Sequence, residues 1–192
     1  MAINPILLDF PDQFESKRLI IRSPRAGDGL AMHEAKLESM NDLRRYPASL
    51  PWAMCEFDLA DAESYCRKCQ AEFIDRSNLT MLLFLKETGQ FIGASGLKRM
   101  NWDIPKFEIG YWCRSSLHGY GLITEAVNAI SEFAFEHLNA KRLEIFSDDL
   151  NTASWRVAEK AGFKLEGLLK NENIDPDGTL RNTRVYAKIA NT

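Results

Sequence analysis

Residues Glu108–Ala126, EIGYWCRSSLHGYGLITEA, carry a change of hydrophobic period around which the chain can be read. Phe107, Ile109, Tyr111 and Trp112 are residues that suit a pleated, half-buried surface. Five residues without a clear period follow, Arg114 to His118, and then Gly119-Tyr120-Gly121. From Ile123 the apolar positions Ile123, Ala126, Val127, Ile130, Phe133, Ala134 and Leu138 fall on one helical face. The order is strand, glycine turn, long amphipathic helix.

That order predicts an anion site. The first turn of a helix leaves its N–H groups without intrahelical partners. Glycine brings no Cβ to hold a ligand away from the backbone. Free N–H groups and the helix dipole together suit a phosphate, here a pyrophosphate. A dinucleotide fingerprint would want a third glycine where Thr124 stands, and a P-loop would want Gly-Lys-Ser/Thr, which is absent. An ordinary strand-to-helix connection is the other reading of the spacing alone.

The segment resembles motif A of the GNAT superfamily of N-acetyltransferases, Gln/Arg-x-x-Gly-x-Gly/Ala. GYW at 110–112 followed by GYGLITEA at 119–126 looks like the branch that acetylates the N-termini of ribosomal proteins. Asn151-Thr-Ala-Ser154 and Glu159-Lys160-Ala-Gly162-Phe163 match that branch too, and the resemblance runs from Glu15 onward. One departure is Ser116, which stands at the family's Gln/Arg position; Arg114 or His118 is expected to replace part of the lost contact. The resemblance implies acetyl-CoA as co-substrate, no metal, and an amine acceptor, such as a protein N-terminus. It implies a cofactor surface of Trp112, Cys113, Arg114, His118, Gly119, Tyr120, Gly121, Leu122, Ile123, Thr124, Asn151 and Ser154.

Length and composition fit this. A chain of 192 residues with 45% hydrophobic and 27% charged residues suits one globular domain, 15–192, behind an N-terminal arm, 1–14. A net charge of −3 offers no general attraction to nucleic acid or an acidic membrane, so an anion site must be local. No apolar run approaches the ~20 residues of a membrane span. MAINPILLDFP lacks the basic start of a signal peptide. Cys55, Cys66, Cys69 and Cys113 form no disulfide framework, and Cys66 and Cys69 are expected as buried helix residues rather than metal ligands. A reduced, cytoplasmic protein is expected, as monomer or homodimer.

Along the chain, Arg18–Arg22 reads as a strand, and Asp28 as the cap of a following helix. A connection bearing Tyr46, Pro47, Pro51, Trp52 and Phe57 comes next; by resemblance it walls the acceptor site. Leu59–Arg76 is helical; Thr80–Lys86, Phe91–Leu97 and Ile104–Cys113 form a meander, with Gly93 and Gly96 marking a close approach or bulge. After the central helix come a strand at Arg142–Phe146, a helix at Asn151–Lys160, and a hairpin of 163–167 and 180–190 about Asp175-Pro-Asp-Gly178. The fold class is α/β (α+β): a mixed, largely antiparallel, twisted sheet with helices on both faces. By resemblance, two central strands splay to admit pantetheine.

The implied reaction needs a neutral amine, an oxyanion donor and a proton for the leaving thiolate. The oxyanion donor is expected from a backbone N–H near Trp112 or Cys113. Ser154, at i+3 from Asn151, is the expected proton donor by resemblance, with Asn151 contacting pantetheine. The general base is open between Glu108, preferred for its strand position, and Glu172, with Tyr186 in reserve as an acid or wall residue. The alternatives to an N-terminal acetyltransferase are a CoA-binding module without turnover and an acetyltransferase for a small-molecule amine.

Overall fold

The computed structural model describes residues 4–190; residues 1–3 of the expected arm and the last two of the expected domain lie outside the described residues. Eight strands form one sheet: β1 Gln13–Glu15, β2 Leu19–Arg22, β3 Leu79–Leu85, β4 Phe91–Asn101, β5 Lys106–Cys113, β6 Arg142–Asp148, β7 Lys164–Ile174 and β8 Leu180–Ile189. Their order is β1-β2-β3-β4-β5-β6-β8-β7, antiparallel throughout except for β5 against β6. Four helices cover it: α1 Gly29–Leu43, α2 Leu59–Asp75, α3 Leu122–His137 and α4 Thr152–Lys160.

Side chains alternate between the two faces of a strand, and the core follows that alternation. Met81, Leu83, Ile92, Phe107 and Ile109 join Ile123, Val127 and Ile130 of α3 in the larger cluster. Leu82, Phe91 and Ala94 join Met32, Ala35, Ala62 and Cys66 of α1 and α2 in the smaller one. Each fully buried Leu or Ile contributes about 1.5–3 kcal/mol. Cys66 and Cys69 sit in this packing, and burial pushes the Cys66 thiol up to about 12. At Gly93 an added Cβ would stand 2.3 Å from the Trp112 carbonyl oxygen, so glycine is what lets β4 and β5 close.

Two expectations change. The arm does not end as irregular chain: Gln13–Glu15 pairs with β2, and Phe10 and Phe14 pack on Phe133 of α3. Its aromatic residues find apolar partners that a local reading does not reveal. Asp28 occupies the N-cap position of α1 but makes no side-chain cap. Its carboxylate accepts instead from both terminal nitrogens of Arg22, at 2.8 and 2.6 Å, and from the Arg25 N–H.

Candidate active site

The turn before α3 has the geometry its glycines require. Gly119 and Gly121 have φ of 83° and 74°, in the left-handed region, and Gly121 is the N-cap of α3. Among the described residues, none of the six N–H groups from Gly119 to Thr124 has an acceptor in the protein. A Cβ added at Gly119 would meet open space, and one at Gly121 would meet only Arg18. The turn therefore leaves these N–H groups without protein acceptors and the space over both glycines largely open. Glu125, in the first turn of α3, anchors it by accepting from Ser16 Oγ, Arg18 N and Arg18 Nε, each at 2.7 Å.

Beside this cradle the sheet opens. β5 pairs with β6 only from Lys106 to Glu108, opposite Arg142 to Glu144. Beyond that point β5 follows β4 to Cys113, while β6 follows β8 to Asp148. The Arg114 N–H donates to the Ile92 carbonyl of β4 at 2.7 Å. Amide direction alternates along an antiparallel strand, so the Trp112 N–H also faces β4, and those of Tyr111 and Cys113 face the opening. Of the two expected oxyanion donors, Cys113 has the required direction and Trp112 does not. The Trp112 ring lies on the α1–α2 side, 5.9 Å from Phe91 and 6.3 Å from Trp52.

The far side of the opening is the start of α4. Asn151 caps it, its Oδ1 accepting from the Ser154 N–H at 3.1 Å. Tyr111 reaches across from β5: its hydroxyl donates to the Ser154 carbonyl at 2.9 Å and lies 3.2 Å from Ser154 Oγ. Burial pushes the Tyr111 hydroxyl up to about 12, against the opposing hydrogen bond from Ser154. The sequence reading missed Tyr111. The only signal for it was its odd-numbered place on β5, shared with Ile109 and Cys113.

The candidate bases and reserves differ in their surroundings. Glu108 is buried at the last paired position before the strands part, with Lys98 Nζ at 2.9 Å and Arg99 Nε at 3.3 Å. Oε1 faces Lys98, whereas Oε2 is buried without a hydrogen-bond partner despite the nearby Arg99. Glu172 is exposed, in the bulged part of β7 between Leu169 and Asn173. Tyr186 is fully buried, and its hydroxyl donates to Glu159 at 3.1 Å. Neither expected replacement for the motif cation is free for it. Arg114 is bound to Glu38, and the His118 ring contacts the Cys113 carbonyl at 3.1 Å and Asp42 at 3.9 Å. Ser116 donates its N–H to Glu38 as well.

The connection between α1 and α2 is tied to the segments after β6 and β7. Tyr46 donates to the Leu150 carbonyl at 3.1 Å, and the Ala48 N–H to Asp175 at 3.0 Å. Arg181 steadies that anchor, 2.7 Å from Asp148 and 3.5 Å from Asp175.

A family model described as an acetyltransferase (GNAT) domain matches residues 18–164. The chain belongs to that family. Among curated relatives of this GNAT chain, the probable N-acetyltransferase YjcK of Bacillus subtilis is 37% identical over 79 residues, 41% of this chain and 43% of YjcK. The ribosomal-protein-serine acetyltransferase of Escherichia coli is 31% identical over 114 residues, 59% of this chain and 63% of the relative. The matched stretch spans about half the length of the curated relatives. Mycobacterium smegmatis RimJ, solved with CoA-disulfide, superposes with a TM-score of 0.82 at 25% identity, covering 94% of this chain and 88% of RimJ. The microcin C7 self immunity acetyltransferase MccE has the same fold, with a TM-score of 0.82 at 19% identity over 94% of this chain and 98% of MccE. The GNAT fold thus places the glycine turn, the strand opening and the Asn151–Ser154 cap within one region. Among the described residues, no helix is long and apolar enough to cross a membrane.

Proposed function

We propose that the protein transfers the acetyl group of acetyl-CoA to a primary amine by direct attack on the thioester. The amine is the N-terminal α-amine of a protein, such as a ribosomal protein. The observation that carries the reading is the run of six uncommitted N–H groups at Gly119–Thr124, next to the point where β5 and β6 part. Pyrophosphate on that turn would direct pantetheine into the opening. As the amine nitrogen bonds to the acyl carbon, the Cys113 N–H is directed to donate to the developing oxyanion. Collapse breaks the C–S bond; Ser154 Oγ–H supplies a hydrogen bond or a proton to the thiolate. The proton leaving the amine passes to water near Glu172, the solvent-exposed one of the two candidate carboxylates.

Two arguments favour an α-amine over a lysine side chain. Attack needs a neutral nitrogen, and an α-amino group has a pKa of roughly 7.7–8.0 against about 10.4 for lysine. At pH 7.4, deprotonation costs under about 1 kcal/mol for the first and about 4 for the second. That suits a site with a solvent-exposed candidate carboxylate. A connection held in place by Tyr46 and Ala48 would, if it walls the acceptor opening, favour a chain terminus over a side chain on a folded surface. The E. coli relative, a ribosomal-protein-serine acetyltransferase, supports a ribosomal-protein acceptor by likeness.

Two peptides of one sequence test this, one N-terminally blocked with a free lysine, the other with a free N-terminus and an acetylated lysine. Thiol release should be faster with the free N-terminus. Faster release with the blocked peptide would overturn the acceptor assignment. Turnover on a small amine alone would place the protein among small-molecule acetyltransferases, and binding of acetyl-CoA with no turnover on any amine would make it a CoA-binding module.

A further inference from the structure

The geometry points to Arg18, from the turn between β1 and β2, as the side chain that grips the cofactor's pyrophosphate where this chain has Ser116 instead of a motif cation. The inference rests on the acetyl-CoA reading above and adds a residue that the glycine motif does not contain. Arg18 lies about a hundred residues from that motif in sequence, yet its guanidinium stands on the rim of the turn. Nε is 2.7 Å from Glu125 Oε2, and one terminal nitrogen, NH1, donates to the Tyr120 carbonyl at 3.1 Å. The other, NH2, lies 3.9 Å from where a Cβ on Gly121 would stand. It has no acceptor among the described residues, and the side chain is 44% exposed.

Three features make this a grip rather than a surface ion pair. Guanidinium is planar and carries five donors, so fixing Nε and NH1 also fixes the direction of NH2. NH2 thus stands on the open face of Gly121, in the turn whose N–H groups have no acceptor among the described residues. The Nε–H and one NH2 hydrogen share the guanidinium edge that faces Glu125, which leaves the second NH2 hydrogen directed away from the carboxylate. Glu125 also takes the Arg18 backbone N–H, so the residue is held at main chain and side chain alike. Arg114 and His118, the cations within the motif segment, are turned instead to Glu38 and Asp42 of α1. Arginine offers phosphate two parallel donors, and charge-assisted bonds of this kind are roughly twice as strong as neutral ones.

The test is calorimetric titration of the full chain with CoA, 3′-dephospho-CoA and pantetheine, the last by competition. Arg18→Met should weaken CoA and 3′-dephospho-CoA alike, by about 10- to 50-fold, and leave pantetheine within twofold. Equal loss for all three ligands would mean that Arg18 only supports the fold and would overturn the proposal, as would no loss for CoA. Loss for CoA but not for the dephospho form would move the contact to the 3′-phosphate, and the pyrophosphate assignment would fail. If Arg18→Met does not fold, Arg18→Lys replaces it. It keeps the charge without the fork, and several-fold weaker CoA binding with unchanged pantetheine is expected. Failure of the unmutated protein to bind CoA would defeat the acetyl-CoA reading itself, an outcome distinct from an indifferent Arg18.

Discussion

Tyr111 and Ser154 meet across the gap between β5 and β6, the tyrosine hydroxyl 2.9 Å from the serine carbonyl and 3.2 Å from its Oγ. This contact closes one end of the opening and fixes the rotamer of the proposed proton donor. Removing the hydroxyl leaves the carbonyl without that partner, at a cost of about 1 kcal/mol. Tyr111→Phe is expected to lower kcat about tenfold with CoA affinity within threefold. Ser154→Ala should likewise lower turnover more than affinity, and the double variant should be no slower than the product of the two. Steady-state rates and CoA titrations on the three variants check this. Unchanged turnover in Ser154→Ala would require another acid.

Gly121 has φ of 74°, which side chains branched at Cβ rarely adopt, and its open face is the proposed phosphate site. Gly121→Val therefore adds strain of order 1–3 kcal/mol and fills the space above the N–H groups. CoA binding should weaken more than 50-fold by calorimetry. Ser116→Ala should bind within twofold of the unmutated protein, because the Ser116 contact found in the structure is its backbone N–H to Glu38.

Glu38 carries a pH signature. Burial would raise its carboxyl, but hydrogen bonds from Ser116 and Arg114 outweigh it and hold it down at about 2 against an ordinary 4.5. A folded value below the unfolded one contributes stability that is present above pH 4.5 and lost as pH falls toward 2. Glu38→Gln should flatten that part of the acid limb in thermal midpoints measured from pH 6 to pH 2. It should also loosen Arg114 and Ser116, and with them the segment leading to the glycine turn.

The parts of this design visible in the sequence were those written in local pattern. The period change at Ile123, the β-forming run before Cys113 and the glycine turn between them each need only a few neighbouring residues, and the structure has a strand at Lys106–Cys113 and a helix from Leu122. The contacts that close the site were not visible because they join distant segments. Arg18 meets Tyr120, Tyr111 meets Ser154, Ala48 meets Asp175, and no spacing rule links those positions. Glu108 shows the same limit from the other side. Its strand position marked it as a base, but Lys98 and Arg99 fold over it from the neighbouring strand. The amide directions that separate Cys113 from Trp112 depend on which strand lies on which side, and that is a property of the sheet rather than of the segment.

Lys36 makes the last prediction. It lies on α1 with only 5% of its surface exposed, its amine 3.7 Å from the Phe57 ring centre, 4.6 Å from Trp52 and 4.9 Å from Tyr65. Among the described residues no carboxylate comes within ion-pair distance of it. Burial lowers its pKa to about 8, with Cys66 and Cys69 opposing the shift. The folded value lies below the unfolded 10.5, so the unfolded chain binds the extra proton between pH 8 and 10.5. Stability should therefore rise with pH across that window and carry the full penalty below pH 8. The aromatic faces return part of it, at about 0.5–2 kcal/mol for a desolvated cation. Lys36→Met should then be more stable than the unmutated protein at pH 7, by about 1–2 kcal/mol in denaturant titrations, with the difference shrinking toward pH 10. An equal or lower stability at pH 7 would mean that the aromatic contacts outweigh desolvation. Trp52, which stacks on this amine, also faces Trp112 at the acceptor side, so the same variant should raise KM for the peptide acceptor while leaving CoA affinity unchanged.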